Sequence, residues 1–359
     1  MKNNSHHLLL IPEFQKFITA SSSGRRLMPS GKKIRKGTIQ QYHCVLLLLE
    51  EFQMQFKEPL RILVLHRCSL RTIQKEKNYW SRFFKSFTNF LYKEKKCYDQ
   101  YTGAVLKVIK TFFHYLSIEK ALPVGEFHKK FRVPSDRFTP VILSPDQLRF
   151  LISDKDFEHT LLRSLRRTKD IFVFGCTVGL RFRDLMQLKK TNLQCTAEGV
   201  YVVLNTQKTD TEVKIPLPGY AIDIVKKYEK KAGRFVMPRL SGTNLNLQIK
   251  KLMKKAGWDY SLPKIRHRRG EPEEIKTRAG DSYRFFDHIT VHSMRRTAIT
   301  SLLLMGVDET SVRRISGHAP GSKEFYRYVA VVQDYLDTKI KNAHSRLLNG
   351  DDYLIQNVA

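Results

Sequence analysis

The chain is poor in acidic residues. It carries 34 Asp+Glu against 64 Lys+Arg, a formal charge of +30 over 359 residues. That imbalance is far beyond what solubility needs and points to a polyanionic partner. Long apolar runs are missing as well. The stretch Leu8 to Ile11 is much too short to cross a bilayer, so no membrane partner is expected. The opening MKNNSHH is polar rather than secretory. Cysteine is scarce: Cys44, Cys68, Cys97, Cys176 and Cys195 are odd in number, widely spaced and contain no Cys-x-x-Cys pair. This excludes a disulfide framework and a zinc finger, and fits reduced thiols in a cytoplasmic protein. No group of histidines and cysteines has metal spacing, so no metal is expected. Internal repeats and long low-complexity tracts are also absent.

What is present suffices for two domains. The apolar fraction is 42%, enough to bury two cores in a chain of this length. The basic residues are scattered in short clusters such as Lys32-Lys33, Lys129-Lys130, Arg166-Arg167, Lys230-Lys231 and Arg268-Arg269. Dispersal of this kind fits a broad contact with nucleic acid made through phosphates, which a single basic tail would not.

Residues 1–33 read as a short extension with one helix over 11–20. Thr38 and Gln41 have capping-box spacing and predict a helix start. Ile39, Tyr42, Val45, Leu46, Leu49 and Phe52 then recur at helical period. Two further amphipathic runs follow, around Trp80, Phe83, Phe87 and Phe90, and around Val105, Ile109 and Phe112. Residues 34–130 are therefore expected to form an all-helical domain whose aromatic stripes are core. FRVPSDRFTPVI, with two prolines, reads as a linker over 131–143. A second domain opens at Ser144, where Pro145 and Gln147 complete a helix start. It spans 144–332, with a helix over 165–177, a short helix from Arg181, and strands over 200–204 and 213–215. A charged helix is expected over 219–234 and an irregular charged insertion over 258–288. A last helix and tail occupy 333–359, with Gly350 as a stop.

Within the second domain, residues able to handle a phosphodiester recur in a fixed order. Arg181 lies in GLRFRDL, Lys208 in TQKTDTEVKIPL, His292 and Arg295 in HSMRR, His318 in ISGHA, and Tyr326 and Tyr328 in FYRYVAV. Two guanidinium groups can hold non-bridging oxygens. Lys208, at the tip of a predicted hairpin, can donate a proton to a leaving oxygen. His292 and Arg295 share a helix face at i, i+3. A tyrosine can attack phosphorus and remain bonded to it. Tyr326 and Tyr328 are turned about 200° apart on a helix, so only one of them faces a given phosphate.

These residues resemble the tyrosine recombinase, or phage integrase, family over roughly 34–340. Its pattern Arg, Lys, His-x-x-Arg, His, Tyr falls on Arg181, Lys208, His292, Arg295, His318 and a C-terminal tyrosine. TVGLRFRDL matches the frame of the first arginine, and PSGKKIRKGTIQQY with the 258–288 insertion resembles the mobile-element branch. The family tyrosine commonly lies nine residues after the Gly-His histidine; Tyr326 is eight after and Tyr328 ten. The frame Phe325, Arg327, Tyr328, Val329 selects Tyr328, with one residue inserted in HAPGSKE.

The resemblance implies a mainly α fold with a small antiparallel β-sheet. A helical, SAM-like core-site DNA-binding domain and an α+β catalytic domain would form a clamp around double-stranded DNA. It also implies a mechanism without metal, ATP or other cofactor. Tyr328 attacks the scissile phosphate to give a 3′-phosphotyrosyl bond and a free 5′ hydroxyl. Arg181 and Arg295 neutralise the transition state and Lys208 protonates the leaving oxygen. His292 is the base and His318 hydrogen-bonds the phosphate. A homo-tetramer on two DNA sites, accessory DNA-bending or directionality proteins and a nucleoid-associated, cytoplasmic location follow from the same likeness. Two other readings use the same residues: a type IB topoisomerase, and a non-catalytic DNA-binding regulator that retains the fold.

Overall fold

The computed structural model describes residues 7–134, 140–206, 212–319 and 321–349. The chain folds into two compact units, one of residues 1–137 with 264–275, the other of 138–263 with 276–359. Both are dominated by helices, with three small antiparallel sheets among the described residues.

In the first unit, strand β1 (His7–Leu9) pairs antiparallel with β2 (Arg61–Leu63). Helix α1 (Leu10–Ser22) follows β1 directly and buries Leu10, Phe14 and Phe17. Helix α2 (Lys36–Gln53) begins earlier than the Thr38 signal predicts. Thr38 and Ile39 both donate their N–H groups to the Arg35 carbonyl, which extends the helix upstream. Helices α3 (Leu70–Lys93) and α4 (Asp99–His114) complete the bundle. Phe14, Phe17, Phe52, Trp80, Phe87 and Phe112 form an aromatic core. Burying each such ring contributes about 2–3 kcal/mol, and several pairs meet edge to face, as Trp80 and Phe113 do. The carboxylate of Glu76 is buried but satisfied: it accepts from Trp80 Nε1, the Leu63 amide and Arg61.

The second unit starts with α5 (Pro145–Ser153), whose Ser144–Gln147 capping box is formed in both directions. Helix α6 (Lys155–Thr160) leads to α7 (Arg163–Val178), in which Ile171 through Cys176 are all buried. Its C-terminal half, from Thr168 onward, is almost wholly covered, while Arg163 and Ser164 at its start are exposed. After α8 (Phe182–Gln187), strands β3 (Leu193–Thr196), β4 (Gly199–Asn205) and β5 (Glu212–Pro216) form a meander. Helix α9 (Gly219–Tyr228) is shorter than the charge pattern predicts, and α10 (Gly242–Lys255) packs on α7.

The 258–288 insertion is more ordered than its composition suggests. It contains a hairpin of β6 (Lys264–Arg268) and β7 (Glu271–Ile275) that belongs to the first unit. The turn residues Arg269 and Gly270 both have positive φ, 58° and 87°, as a two-residue hairpin turn of the primed type requires. Asp99, fully buried at the start of α4, accepts from both turn amides at 2.8 Å. The chain then continues through α11 (Phe285–His288), α12 (Val291–Leu304), α13 (Glu309–Ser316) and α14 (Lys323–Asn349). Expected Gly350 lies outside the described residues.

Candidate active site

Two helices of the second unit cross closely and bring two arginines together. A Cβ on Gly175 of α7 would collide with Met294 Sδ of α12, so only glycine allows this approach. Helix α7 ends where Gly179 takes a left-handed conformation, φ 61°. Arg181 follows at once as the N-cap of α8, and Arg295 follows Met294.

Arg295 is 2% exposed and anchored on three sides. Nη1 donates to the Gly179 carbonyl at 3.0 Å and Nη2 to the Ser316 carbonyl at 2.6 Å. Nη2 also lies 3.1 Å from Nε2 of His318. The other ring nitrogen of His318, Nδ1, is 2.8 Å from Ser316 Oγ, which fixes the imidazole plane. Burial, and then the charge of Arg181, push the Arg295 pKa down; Tyr328, Asp184 and Glu324 act in the opposite direction. Two like charges are thus held close in a poorly hydrated site, a costly arrangement that an anion would relieve. The buried Nη1 of Arg181 makes no hydrogen bond. An unsatisfied buried donor costs about 1–3 kcal/mol, and an oxygen ligand would remove that cost.

His292 sits in the first turn of α12, its amide held by Thr290 Oγ1. Desolvation, and then the charges of Arg296, Arg295 and Arg181, lower its pKa to about 4, against the raising effect of Glu324. The imidazole is therefore neutral at physiological pH and able to accept a proton. Its position at a helix N-terminus also disfavours the cation.

The two tyrosines of α14 lie in different surroundings. Tyr328 is 6% exposed and packs with Ile299, Val312 and Phe325. Its ring centroid is 5.9 Å from that of His318. Tyr326 is 50% exposed and stacks under Arg313, 5.1 Å from the ring. Arg181, His292, Arg295, His318 and Tyr328 line one cleft of about 210 Å³, together with Arg296, Glu324 and Arg327. Lys208 lies outside the described residues, between β4 and β5, whose antiparallel pairing ends at Asn205 and Glu212. Among the described residues no cluster of His, Cys, Asp and Glu could hold a metal ion, and no helix is long and apolar enough to cross a membrane.

Residues 163–334 match the profile of the phage integrase family, a span that contains the entire cleft-lining set except Pro140. Over that span the chain is similar to the phage integrase family. The integrase likeness extends over both units at the level of fold. The XerH site-specific recombinase bound to palindromic difH substrate, a post-cleavage complex, aligns with a TM-score of 0.60 at 12% identity. That alignment covers 92% of this chain and 95% of the other. The lambda integrase tetramer bound to a Holliday junction gives 0.56 at 13% identity, over 88% of this chain and 79% of the other. The Tn1549 transposon integrase in complex with transposon right end DNA gives 0.56 at 14% identity, over 93% and 99%. No curated protein sequence matches the chain.

The cleft also holds residues that the ordered motifs do not single out. Arg296 shares a side-chain hydrogen bond with Tyr328. Glu324 and Arg327 flank Tyr328 on α14 and line the same cleft. The doubled arginine of HSMRR was the available signal for Arg296, but consecutive helical residues point about 100° apart. A larger cavity of about 660 Å³ lies beside Arg163, Arg167 and Lys231. Its tyrosine, Tyr228, donates to Asp170 at 2.8 Å; burial and that carboxylate push its pKa up, which suits a structural phenol rather than a nucleophile.

Proposed function

We propose that the chain is a site-specific DNA recombinase or integrase that cuts and rejoins strands through a 3′-phosphotyrosyl intermediate. The observation that carries this reading is the burial of Tyr328 in a cleft with two converging arginines and a neutral histidine. Arg181 and Arg295 bind the non-bridging oxygens of the scissile phosphate, and Arg181 Nη1 takes the oxygen it lacks at rest. His292 accepts the Tyr328 proton. The Tyr328 oxygen bonds to phosphorus as the bond to the 5′ oxygen breaks, and Lys208 delivers a proton to that oxygen. His318, held between Ser316 and Arg295 at rest, hydrogen-bonds the phosphate when Arg295 turns from its Nε2 to the phosphate oxygens. Transition-state charge is the main burden in phosphoryl transfer, and loss of one such donor costs about 10²–10³ in rate.

The ester conserves bond energy, so a 5′ hydroxyl from another strand reverses the step without ATP or metal. Strand exchange between two duplexes then calls for a homo-tetramer, with accessory DNA-bending or directionality proteins as further partners. The dispersed basic surface of both units supplies phosphate contacts.

The test is a nicked suicide duplex built from the DNA flanking the gene. Covalent trapping of the chain on one strand, with strand exchange on intact sites, is the expected result. Supercoil relaxation without exchange would instead favour a type IB topoisomerase, and absence of any adduct would favour a DNA-binding regulator.

A further inference from the structure

We infer that Arg296 is a positioning residue for the nucleophile: its guanidinium holds the Tyr328 hydroxyl oxygen inside the arginine cleft and sets positive charge against the oxygen that attacks. The inference rests on the recombinase reading of this cleft. Arg295 and Arg296 are adjacent on α12, so their side chains diverge by about 100°. Arg295 is committed to Gly179, Ser316 and His318. Arg296 turns to the wall that α14 forms and hydrogen-bonds Tyr328 there. Both arginines line the cleft.

The direction of this hydrogen bond is not open to choice. Arginine has donors only, so the Tyr328 oxygen must be the acceptor. The phenolic proton is then left to point elsewhere, toward a base. Donation to the oxygen stabilises the form in which that oxygen bears charge. Of the other charged and titratable groups lining the cleft, Arg295 and His292 come from α12 and Arg181 precedes α8. His318 follows α13, and Glu324 and Arg327 share α14 with Tyr328. Tyr328 raises the pKa of both Arg295 and Arg296, and that of Arg296 through a hydrogen bond as well. Arg295 is already occupied by three partners and is needed for phosphate.

A role in packing alone would also place an arginine beside a phenol, so the test needs a readout that packing does not move. Single-turnover adduct formation is followed on saturating suicide duplex, and duplex affinity is measured separately. The chains compared are wild type, Arg296→Gln, Arg296→Met and Arg296→Lys, with thermal melting as the control for folding. The expected result is a loss of about 10- to 100-fold in adduct rate in the two neutral variants, with duplex affinity close to that of the wild type. Arg296→Lys, which keeps charge and donors, should recover most of the rate. An unchanged adduct rate in whichever neutral variant folds, or a folded Arg296→Lys no faster than the neutral variants, overturns the assignment. Absence of an adduct in the wild type is a different result, and it removes the recombinase reading together with this inference.

Discussion

Arg295 donates to the Ser316 carbonyl at 2.6 Å. One buried cation thereby ties the centre of α12 to the end of α13, the point from which His318 enters the cleft. Arg295→Lys keeps the charge but cannot span Gly179, Ser316 and His318 at once. We expect a loss of about 2–4 kcal/mol of stability from the carbonyls left without a donor, together with loss of adduct formation. Urea denaturation gives the first quantity; an unchanged midpoint would show that the anchoring is not structural.

The acid limb of stability should report His292. Its pKa in the folded chain is about 4, below the ordinary value near 6.5. Between these two values the unfolded state binds the proton and the folded state does not. Stability is therefore full above about pH 6.5 and falls as pH drops toward 4. Proton NMR of the ring should give a midpoint near 4. Arg296→Gln should raise that midpoint by removing the largest charge that lowers it, and Glu324→Gln should lower it. A midpoint near 6.5 in the wild type would contradict the electrostatic picture of the cleft.

Helix crossing at Gly175 admits no side chain. Gly175→Ala would place a methyl against Met294 Sδ, 3.1 Å from Leu185 Cδ2 and 3.2 Å from Met294 Cβ. Overpacking of this kind costs about 1–3 kcal/mol, against a helix-propensity gain of about 1 kcal/mol. The double variant G175A M294A should recover part of the loss in a denaturation series. Full tolerance of Gly175→Ala alone would mean that α7 and α12 can separate freely.

Asp99 is the acceptor on which the β6–β7 hairpin depends. It takes hydrogen bonds from Arg269 N, Gly270 N and Tyr92 Oη, the last at 2.6 Å. Asp99→Ala should cost about 2–4 kcal/mol by stranding those donors. Amide exchange over 264–275 should accelerate first. Equal exchange rates in both chains would show that the hairpin is held by its own strands.

The legible parts of the fold were those with local causes. Ser144, Pro145 and Gln147 announce a helix start within four residues, and the box is there. Gly179 stops α7 for an equally local reason. The hairpin was not legible because its determinant, Asp99, is 170 residues away from Arg269 in sequence. Order in the motifs placed Arg181, His292, Arg295 and His318 in one list, and packing brings these four to one cleft. The choice between Tyr326 and Tyr328 rested on a short frame in sequence. In the structure the two differ in burial, 50% against 6%. Arg296 was hidden because neighbouring helical residues are expected to face different surroundings, and here both walls belong to one cleft.

Peptide mapping of the trapped protein–DNA adduct by mass spectrometry identifies the attacking residue. We expect a nucleotide remnant on Tyr328 alone, no adduct from Tyr328→Phe, and an undiminished adduct from Tyr326→Phe. A remnant on Tyr326, or an adduct that persists in Tyr328→Phe, would contradict that expectation.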